Sequence, residues 1–257
     1  MGNDDRLMGA TWKVFAASVQ GKSHIDLGLP CQDAHAFEVR ETWLVAVVCD
    51  GAGSALHSQR GAAFTSQQIV KRLIERVETA SLDQARSELA AIVTSVRDEL
   101  SAIAATEALS VELFASTLVG VVAGPEQGFL FHIGDGAGII ELGGEEASLL
   151  ISAPENGEYA NETYFLTDER WPEHLRIIEF KGTPACIGLM SDGPMPFVMN
   201  GSRGDFSRPF IDPVTRYLLA NDEATGSEAL GNVLASEGTW SITGDDKTLL
   251  LAYPVDR

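Results

Sequence analysis

Aspartates recur at the ends of apolar segments in this chain, and they constrain its fold and chemistry more than any other feature. They occur in five short segments: Gln32-Asp33-Ala34, Cys49-Asp50-Gly51-Ala52-Gly53, Gly134-Asp135-Gly136, Ser191-Asp192-Gly193 and Gly244-Asp245-Asp246-Lys247-Thr248. Three of the five follow an apolar run typical of a strand: Leu44–Val48, Phe129–Ile133 and Ile187–Met190. An aspartate followed by glycine at the end of a buried strand places a carboxylate and a free backbone carbonyl at the edge of a sheet. Several such edges brought together predict an all-oxygen site for hard divalent cations.

Composition limits the function classes that need consideration. The chain has 257 residues and a formal net charge of −19, from 37 acidic and 18 basic residues. Such a surface repels nucleic acid and anionic membranes, so we expect neither as a partner. No apolar run is long enough for a membrane span, and the N-terminus lacks a basic-then-apolar signal. Three cysteines without metal-type spacing fit a reducing cytoplasm, which is the expected location.

The hydrophobic pattern predicts an α+β fold in one domain covering residues 1–257. No linker of glycine, serine or proline divides the chain. Helical periodicity marks Gln59–Val77 and a second stripe from Ala85 to Ile103. Strands are predicted at Val14–Val19, Trp43–Cys49, Ser116–Ala123, Phe129–Ile133, Gly138–Glu141, Arg176–Phe180, Ala185–Ser191 and Thr248–Ala252, with Arg176–Phe180 and Ala185–Ser191 forming a pair. Further helices are predicted after Asp212-Pro213 and over Ser227–Ser236. Strands, then a helix pair, then strands and helices favour α+β over alternating βαβ units.

The order of the motifs resembles the metal-dependent protein phosphatases of the PP2C (PPM) family. The motifs are Gln-Asp-Ala, Asp-Gly-Ala-Gly-Ser, Ser-Thr-Leu, Gly-Asp-Gly, Ser-Asp-Gly and Asp-Asp-Lys-Thr, and the segment from Ser18 to Ala34 looks like a compact bacterial branch. The resemblance covers about residues 14–252. It implies a four-layer α-β-β-α sandwich of two mainly antiparallel sheets flanked by helix pairs, with a metal site at one end.

The resemblance also implies roles for individual aspartates. Asp50 matches the carboxylate that bridges two metal ions, and the Gly51 carbonyl matches a further ligand. Asp192 and Asp245 match the other carboxylates on the first ion, and Asp33 matches the acidic residue beside the second. Oxygen ligands and retained waters suit Mn²⁺ or Mg²⁺, without deciding between them, rather than Zn²⁺.

A third metal position stays open at Asp135. In the resembled family the aspartate of the Gly-Asp motif joins a third, weaker site, and its companion lies four residues after the Ser-Asp-Gly aspartate. That position is Pro196 here, which offers no side-chain ligand. An ordinary aspartate in a glycine-rich turn is the equal alternative for Asp135.

Two further departures concern the groups that handle phosphate and protons. Many family members have a histidine directly after the first Asp-Gly, where this chain has Ala52, and an arginine before the first acidic pair, which is missing between Gln20 and Asp33. Lys22 could bind phosphate as a point charge and His24 could donate a proton. The alternative for both is an exposed loop contact.

The resemblance therefore implies a protein serine/threonine phosphatase, in which a metal-bridging hydroxide attacks phosphorus directly. The candidate catalytic residues are Asp50 and Asp192, from the resemblance, with Lys22 and His24, from their own chemistry. Its partners would be phosphorylated proteins, the substrates of a serine/threonine kinase, and a monomer is favoured although the oligomeric state is open. A cysteine-type tyrosine phosphatase is excluded because no Cys-x5-Arg sequence is present. Two alternatives remain: a small-molecule phosphohydrolase, and a weak or inactive binding or regulatory protein of the same fold. The turn-rich segment Ser152–Glu162 is predicted to shape substrate access.

Overall fold

Two antiparallel sheets lie face to face in the computed structural model, which describes residues 10–144, 147–155, 163–201 and 203–256. The first sheet has the order β1-β10-β9-β6-β7, and the second has the order β2-β3-β4-β5-β8. The strands are β1 (Ala10–Val19), β2 (Ala34–Arg40), β3 (Trp43–Cys49), β4 (Leu118–Ala123), β5 (Gln127–Ile133), β6 (Ala137–Leu142), β7 (Ser148–Ser152), β8 (Arg176–Lys181), β9 (Pro184–Met190) and β10 (Lys247–Asp256).

Two helix pairs cover the outer faces of the sheets, and shorter helices lie between the other elements. The helices are α1 (Lys22–Leu27), α2 (Ser58–Thr79), α3 (Leu82–Thr106), α4 (Trp171–His174), α5 (Met195–Val198), α6 (Arg208–Leu219), α7 (Glu223–Leu234) and α8 (Glu237–Trp240), with a 3₁₀ turn at Val111–Phe114. The pair α2–α3 packs on the second sheet, and α6–α7 on the first. Within the described residues no helix has both the length and the apolar character to span a membrane.

Alternation along the central strands explains the four layers. On β3, Val45 and Val47 face the α2–α3 pair, whereas Leu44 and Ala46 face the layer between the sheets. Successive side chains of a strand point to opposite faces, so a strand covered on both sides is apolar throughout. All of these residues are fully buried. The predicted α+β, four-layer sandwich is confirmed.

The predicted strand pair Arg176–Phe180 and Ala185–Ser191 is wrong. The two strands exist as β8 and β9, but β8 pairs with β5 in the second sheet while β9 pairs with β10 and β6 in the first. The turn between them therefore carries the chain across the sandwich. Each strand pairs, in a different sheet, with strands that lie far from it along the chain, and a local hairpin pattern cannot reveal this.

One helix starts earlier than its proline suggests. The sequence predicts a helix after Asp212-Pro213, but α6 begins at Arg208 and contains Pro213. Pro209 lies in the first turn, where its missing N–H costs nothing, and this position starts the helix. Pro213 removes only one hydrogen bond one turn later, while Ile211 and Leu218 remain buried.

Candidate metal centre in the cleft between the sheets

Strand register places Asp33 opposite Asp50. In the antiparallel pair β2–β3, Ala34 lies opposite Cys49, so the residue before one and the residue after the other meet at the same edge of the sheet. The β3 end is fixed by Thr117, whose Oγ1 accepts from the Asp50 N–H (3.0 Å) and whose N–H donates to the Asp50 carbonyl (2.8 Å). The aspartates of the first two motifs thus share one end of the second sheet.

The first sheet brings its own aspartates to the same end. Met190 lies opposite Leu249 in the pair β9–β10, so Asp192 follows one strand where Asp245 precedes the other. The Ser191 N–H donates to the Thr248 carbonyl (3.2 Å) and closes this corner. Asp135 lies where the chain crosses from β5 to β6, and it follows Gly134, whose φ of +107° favours glycine.

These residues line one cleft of about 530 Å³. Its walls contain four of the predicted aspartates and the predicted histidine, and neither lysine nor arginine among the residues that the structure describes. The lining residues are Ser23, His24, Leu27, Gln32, Asp50, Gly51, Ala52, Gly53, Thr117, Asp135, Thr163, Phe165, Asp192, Thr243, Gly244, Asp245 and Asp246. Asp33 is buried behind this surface, at 6% exposure.

Asp33 is held by a hydrogen bond across the sandwich. Its Oδ2 accepts from Ser191 Oγ at 2.7 Å, and its Oδ1 is a buried oxygen with no partner within the described chain. Burial raises the pKa of Asp33 to about 7, against the lowering effect of the serine hydrogen bond, and the charges of Asp246 and Asp245 add to the rise. A carboxylate in this position gains strongly from a nearby cation.

Asp50 and Asp192 also have pKa values that burial and neighbouring negative charges raise. Burial raises the pKa of Asp50 well above its ordinary value, and the charges of Asp33 and Asp192 raise it further. The pKa of Asp192 is raised to about 6, first by burial and then by the charges of Asp245 and Asp135. Its Oδ1 is also a buried oxygen without a partner within the described residues. Asp245 is exposed at the rim.

The donor set fits Mg²⁺ or Mn²⁺, given some movement of the side chains. Within the described ranges, no three His, Cys, Asp or Glu side chains already converge closely enough to enclose an ion. Unscreened carboxylates repel one another, and Mg²⁺ keeps several waters with only one or two carboxylates. The unpartnered oxygens Asp33 Oδ1 and Asp192 Oδ1 fit a site that a cation would complete.

Gly51 is closely packed, and its carbonyl accepts none of the backbone hydrogen bonds described between this segment and the segment before β4. The hydrogen bonds beside it are made by its neighbours, from Thr117 N–H to Asp50 and from Ala52 N–H to the Ala115 carbonyl (3.0 Å). A Cβ at residue 51 would lie 2.6 Å from the Gln32 carbonyl oxygen. Only glycine fits between these strands, and its carbonyl stays beside Asp50.

Asp246 was missed as an individual residue by the sequence argument, although it lies within the last acidic motif. It is 3% exposed, and its carboxylate accepts three hydrogen bonds: from Gly21 N–H (2.6 Å), from Gln32 N–H (2.6 Å) and from His24 Nδ1 (2.8 Å). Alternation at the start of a strand was the available signal, because adjacent residues point to opposite faces. Asp245 is exposed at the rim and Asp246 is buried.

The two predicted catalytic residues on α1 lie in different surroundings. His24 lines the cleft and contacts Asp246, whereas Lys22 is not among the lining residues and pairs with Asp26 one turn along the helix. Ala52 lines the cleft where the resembled family often has histidine. His24 is therefore the basic side chain that the described cleft wall contains.

Asp135 reaches the cleft without the companion of a third metal site. Thr163 Oγ1 donates a hydrogen bond to Asp135 Oδ2, and both residues line the cleft. Pro196 lies exposed in α5 and is not part of the lining. The segment predicted to shape access, Ser152–Glu162, lies largely outside the described residues.

Lys247 is a buried cation behind the aspartates. It is fully buried, and its Nζ donates to the Asp245 backbone carbonyl at 2.9 Å. Its charge attracts those of Asp245, Asp246 and Asp33. It offsets part of the negative charge without occupying the cleft itself.

Comparison with known proteins agrees with this geometry. The family profile of protein phosphatase 2C matches residues 20–235. Serine/threonine-protein phosphatase 3 of Escherichia coli (strain K12) is 30% identical over 250 residues, which cover 94% of this chain and 98% of that protein. The fold is similar to serine/threonine phosphatase Stp1 from Staphylococcus aureus, with a TM-score of 0.65 and 14% identity over 98% of this chain and 99% of that one.

A further similar structure contains metal. It is the catalytic domain of the serine/threonine protein phosphatase PstP in complex with 2 manganese ions, with a TM-score of 0.59 and 17% identity over 96% of this chain and 100% of that one. The structural likenesses show the same fold, and the profile together with the Escherichia coli relative shows the family. The chain belongs to the protein phosphatase 2C family.

Proposed function

We propose that this chain, a serine/threonine phosphatase of that family, hydrolyses phosphoserine and phosphothreonine in proteins at the aspartate cleft, with Mn²⁺ or Mg²⁺. The observation that carries the proposal is the convergence of acidic residues from both sheets on one cleft, with two buried carboxylate oxygens unpartnered in the described chain. Two ions are proposed. Their ligands are Asp33, Asp50, Gly51, Asp192 and Asp245, and Asp135 is the candidate for a third.

The proposed metal ligands come from both sheets. Asp50 and Gly51 come from the second sheet, and Asp192 and Asp245 from the first, so ions held between them would lie at the boundary of the sheets. When bound, the ions supply an activated water and neutralise the charge of the phosphoryl oxygens. Asp33, kept in place by Ser191, adds a carboxylate on the second-sheet side.

The leaving group needs a proton, and His24 is the proposed donor. Water adds to phosphorus, the bond from phosphorus to the serine or threonine oxygen breaks, and its electron pair stays on that oxygen. An alkoxide is a poor leaving group unless it is protonated as the bond breaks. His24 lines the cleft, whereas Lys22 is engaged with Asp26 at the surface, so the proposal gives Lys22 no phosphate contact.

Several wider proposals accompany this one. The phosphatase domain occupies the whole chain as a single unit, its substrates are phosphoproteins made by a serine/threonine kinase, and it works in the cytoplasm. The three free thiols, Cys31, Cys49 and Cys186, support a reducing compartment.

Hydrolysis assays with three substrate types test the function. Wild type would be assayed with p-nitrophenyl phosphate, a phosphothreonine peptide and a panel of phosphorylated metabolites, each in Mn²⁺, Mg²⁺ and EDTA. We expect metal-dependent turnover that is highest in kcat/KM for the peptide and lost in Asp192→Asn. Asp26→Asn, which changes an exposed carboxylate on α1, is the matched control and should retain full activity.

Other outcomes would contradict the proposal in specific ways. A preference for one metabolite over the peptide would favour a small-molecule phosphohydrolase. Absence of turnover, with Mn²⁺ still raising the melting temperature of wild type but not of Asp192→Asn, would indicate a binding or regulatory protein.

A further inference from the structure

The Asp246 carboxylate joins three segments that surround the cleft. Its Oδ1 accepts from the Gly21 N–H directly before α1, and its Oδ2 accepts from the Gln32 N–H directly before Asp33 and from His24 Nδ1. The distances are 2.6, 2.6 and 2.8 Å. An ionised carboxylate only accepts hydrogen bonds, so His24 Nδ1 carries a hydrogen in this contact.

This contact fixes which ring nitrogen of His24 is available. With Nδ1 engaged by Asp246, Nε2 is the nitrogen left for other partners. The His24 side chain is 13% exposed and that of Asp246 is 3% exposed, so the contact is largely shielded from water. A hydrogen bond to a carboxylate that is shielded from water holds the ring in a fixed orientation.

The other residues of the cleft wall offer few alternatives to His24 as a proton donor. The described lining residues include neither lysine nor arginine, and Ala52 occupies the place where the resembled family often has histidine. Lys247 is fully buried and donates to the Asp245 backbone. The same cleft wall contains the carboxylates of Asp50, Asp135, Asp192 and Asp245.

We propose that Asp246 is a positioning residue that holds His24 with Nε2 free, so that His24 protonates the leaving serine or threonine oxygen. This inference rests on the proposed function and assigns a chain-specific pair to the proton-transfer step. The proton moves from Nε2 to the leaving oxygen, and the imidazole regains a proton from the solvent. Asp246 touches neither substrate nor metal in this scheme, and it acts through His24.

The effect of each variant on substrates with different leaving groups distinguishes a role of His24 and Asp246 in proton transfer from a purely structural role. A serine or threonine oxygen needs protonation, whereas the nitrophenolate of p-nitrophenyl phosphate leaves without it. General acid catalysis contributes about 10²–10⁴-fold. We expect His24→Gln to lower the ratio of kcat/KM for a phosphoserine peptide to that for p-nitrophenyl phosphate by about 10²-fold or more. Asp246→Asn should lower the same ratio at least about tenfold, since an amide oxygen is a weaker acceptor than a carboxylate for the Nδ1–H that fixes the ring orientation.

The double variant and two controls complete the experiment. If Asp246 acts through His24, the ratio in His24→Gln/Asp246→Asn should equal that in His24→Gln alone. Asp26→Asn, on the same helix, should leave the ratio unchanged. Calorimetric titration of Mn²⁺ into each variant reports separately on the metal site, because Asp246 also holds the segment before Asp33 through Gln32.

Three results would contradict this inference, each for a different reason. An equal loss on both substrates in Asp246→Asn, together with weakened Mn²⁺ binding, would show that Asp246 only orders the metal site. An unchanged ratio in His24→Gln would overturn the proposal even if Asp246→Asn fails to fold. Wild type without metal-dependent turnover on either substrate would refute the proposed function itself, and this inference with it.

Discussion

Asp33 and Ser191 are joined by a hydrogen bond of 2.7 Å although 158 positions separate them in the chain. Asp33 precedes a strand of the second sheet, and Ser191 follows a strand of the first. Ser191 Oγ also accepts from the Thr248 N–H at 3.0 Å, so one hydroxyl fastens the two sheets together where the acidic residues meet.

Ser191→Ala should therefore destabilise the protein and weaken its metal site. The change leaves the Thr248 N–H and one Asp33 oxygen buried without this partner, at a cost of about 1–3 kcal/mol. It also removes the hydrogen bond that lowers the pKa of Asp33, so this pKa should rise. Urea unfolding and Mn²⁺ titration at neutral pH measure both effects. The control is Ser66→Ala, which changes a buried serine on α2 whose hydroxyl donates to the Ala63 carbonyl of the same helix. Equal results for the two variants would contradict the prediction.

Asp50→Asn should stabilise the metal-free protein while abolishing metal binding. Burial and neighbouring carboxylates raise the pKa of Asp50 in the folded state. A carboxyl group with a raised pKa contributes stability that is present below its unfolded pKa and lost as pH rises through the folded value. In EDTA the melting temperature of the variant should therefore exceed that of wild type, and the gap should widen from pH 5 to pH 8.

Melting curves in EDTA and in Mn²⁺ check this prediction. For a chain of this size, each 1 kcal/mol corresponds to about 2–4 °C. Excess Mn²⁺ should raise the melting temperature of wild type and leave that of the variant unchanged. A variant less stable than wild type in EDTA at pH 8 would show that the aspartates are not under electrostatic strain.

Gly193→Ala should destabilise the segment around Asp246, because Gly193 packs directly against the Asp246 backbone. A Cβ there would lie 1.8 Å from the Asp246 carbonyl oxygen, which is backbone and cannot move aside. Overpacking of this kind costs about 1–3 kcal/mol or more. Gly201→Ala is the matched control, since within the described residues no atom beyond its chain neighbours lies within 4 Å of the added Cβ. Chemical denaturation should show a loss only for residue 193, and similar stability of the two variants would contradict the packing described.

His132 should make the protein sensitive to acid independently of the metal site. It is fully buried on β5, and burial together with Arg176 lowers its pKa to about 3. Its Nδ1 lies 2.9 Å from Arg176 Nη2, which can only donate, so the ring is held neutral. A histidine with a lowered pKa contributes stability that is present above about pH 6.5 and lost as pH falls toward the folded value.

Between pH 7 and pH 5 this loss amounts to about 2 kcal/mol. His132→Asn keeps an acceptor near the Nδ1 position but cannot be protonated, so its unfolding free energy should fall less over this interval. Guanidinium unfolding at the two pH values measures the change in unfolding free energy for each protein. His57→Asn is the control, since the His57 ring stacks on Phe114 away from His132 in the sequence. Parallel pH curves for His132→Asn and wild type would contradict the prediction.

Much of the fold was predictable because it depends on local pattern. The predicted helix Gln59–Val77 lies within α2 and the predicted strand Trp43–Cys49 is β3, since periodic apolar residues fix both elements. The strand β2 was missed, because its residues are mostly half-buried and do not alternate cleanly. Which sheet receives a strand depends on partners far along the chain, and for this reason the pairing of β8 with β9 was predicted wrongly.

The site was predictable only as a set of segments. Motif order led to the aspartates that the structure brings to one cleft, and their roles as metal ligands remain proposals. The different surroundings of Lys22 and His24 depend on how α1 meets Asp246, a contact across 222 positions that no local pattern encodes. Asp245 and Asp246 are adjacent in sequence, and only the strand geometry separates a rim carboxylate from a buried one.

Restoration of activity by added metal shows whether the aspartate cleft is the site of phosphate hydrolysis. EDTA-treated wild type and Asp50→Asn would be assayed side by side on a phosphothreonine peptide while Mn²⁺ is added in steps, with released phosphate measured. We expect no turnover in EDTA, saturable recovery in wild type and no recovery in the folded variant. Phosphate release by wild type in EDTA, or equal recovery in Asp50→Asn, would contradict this expectation.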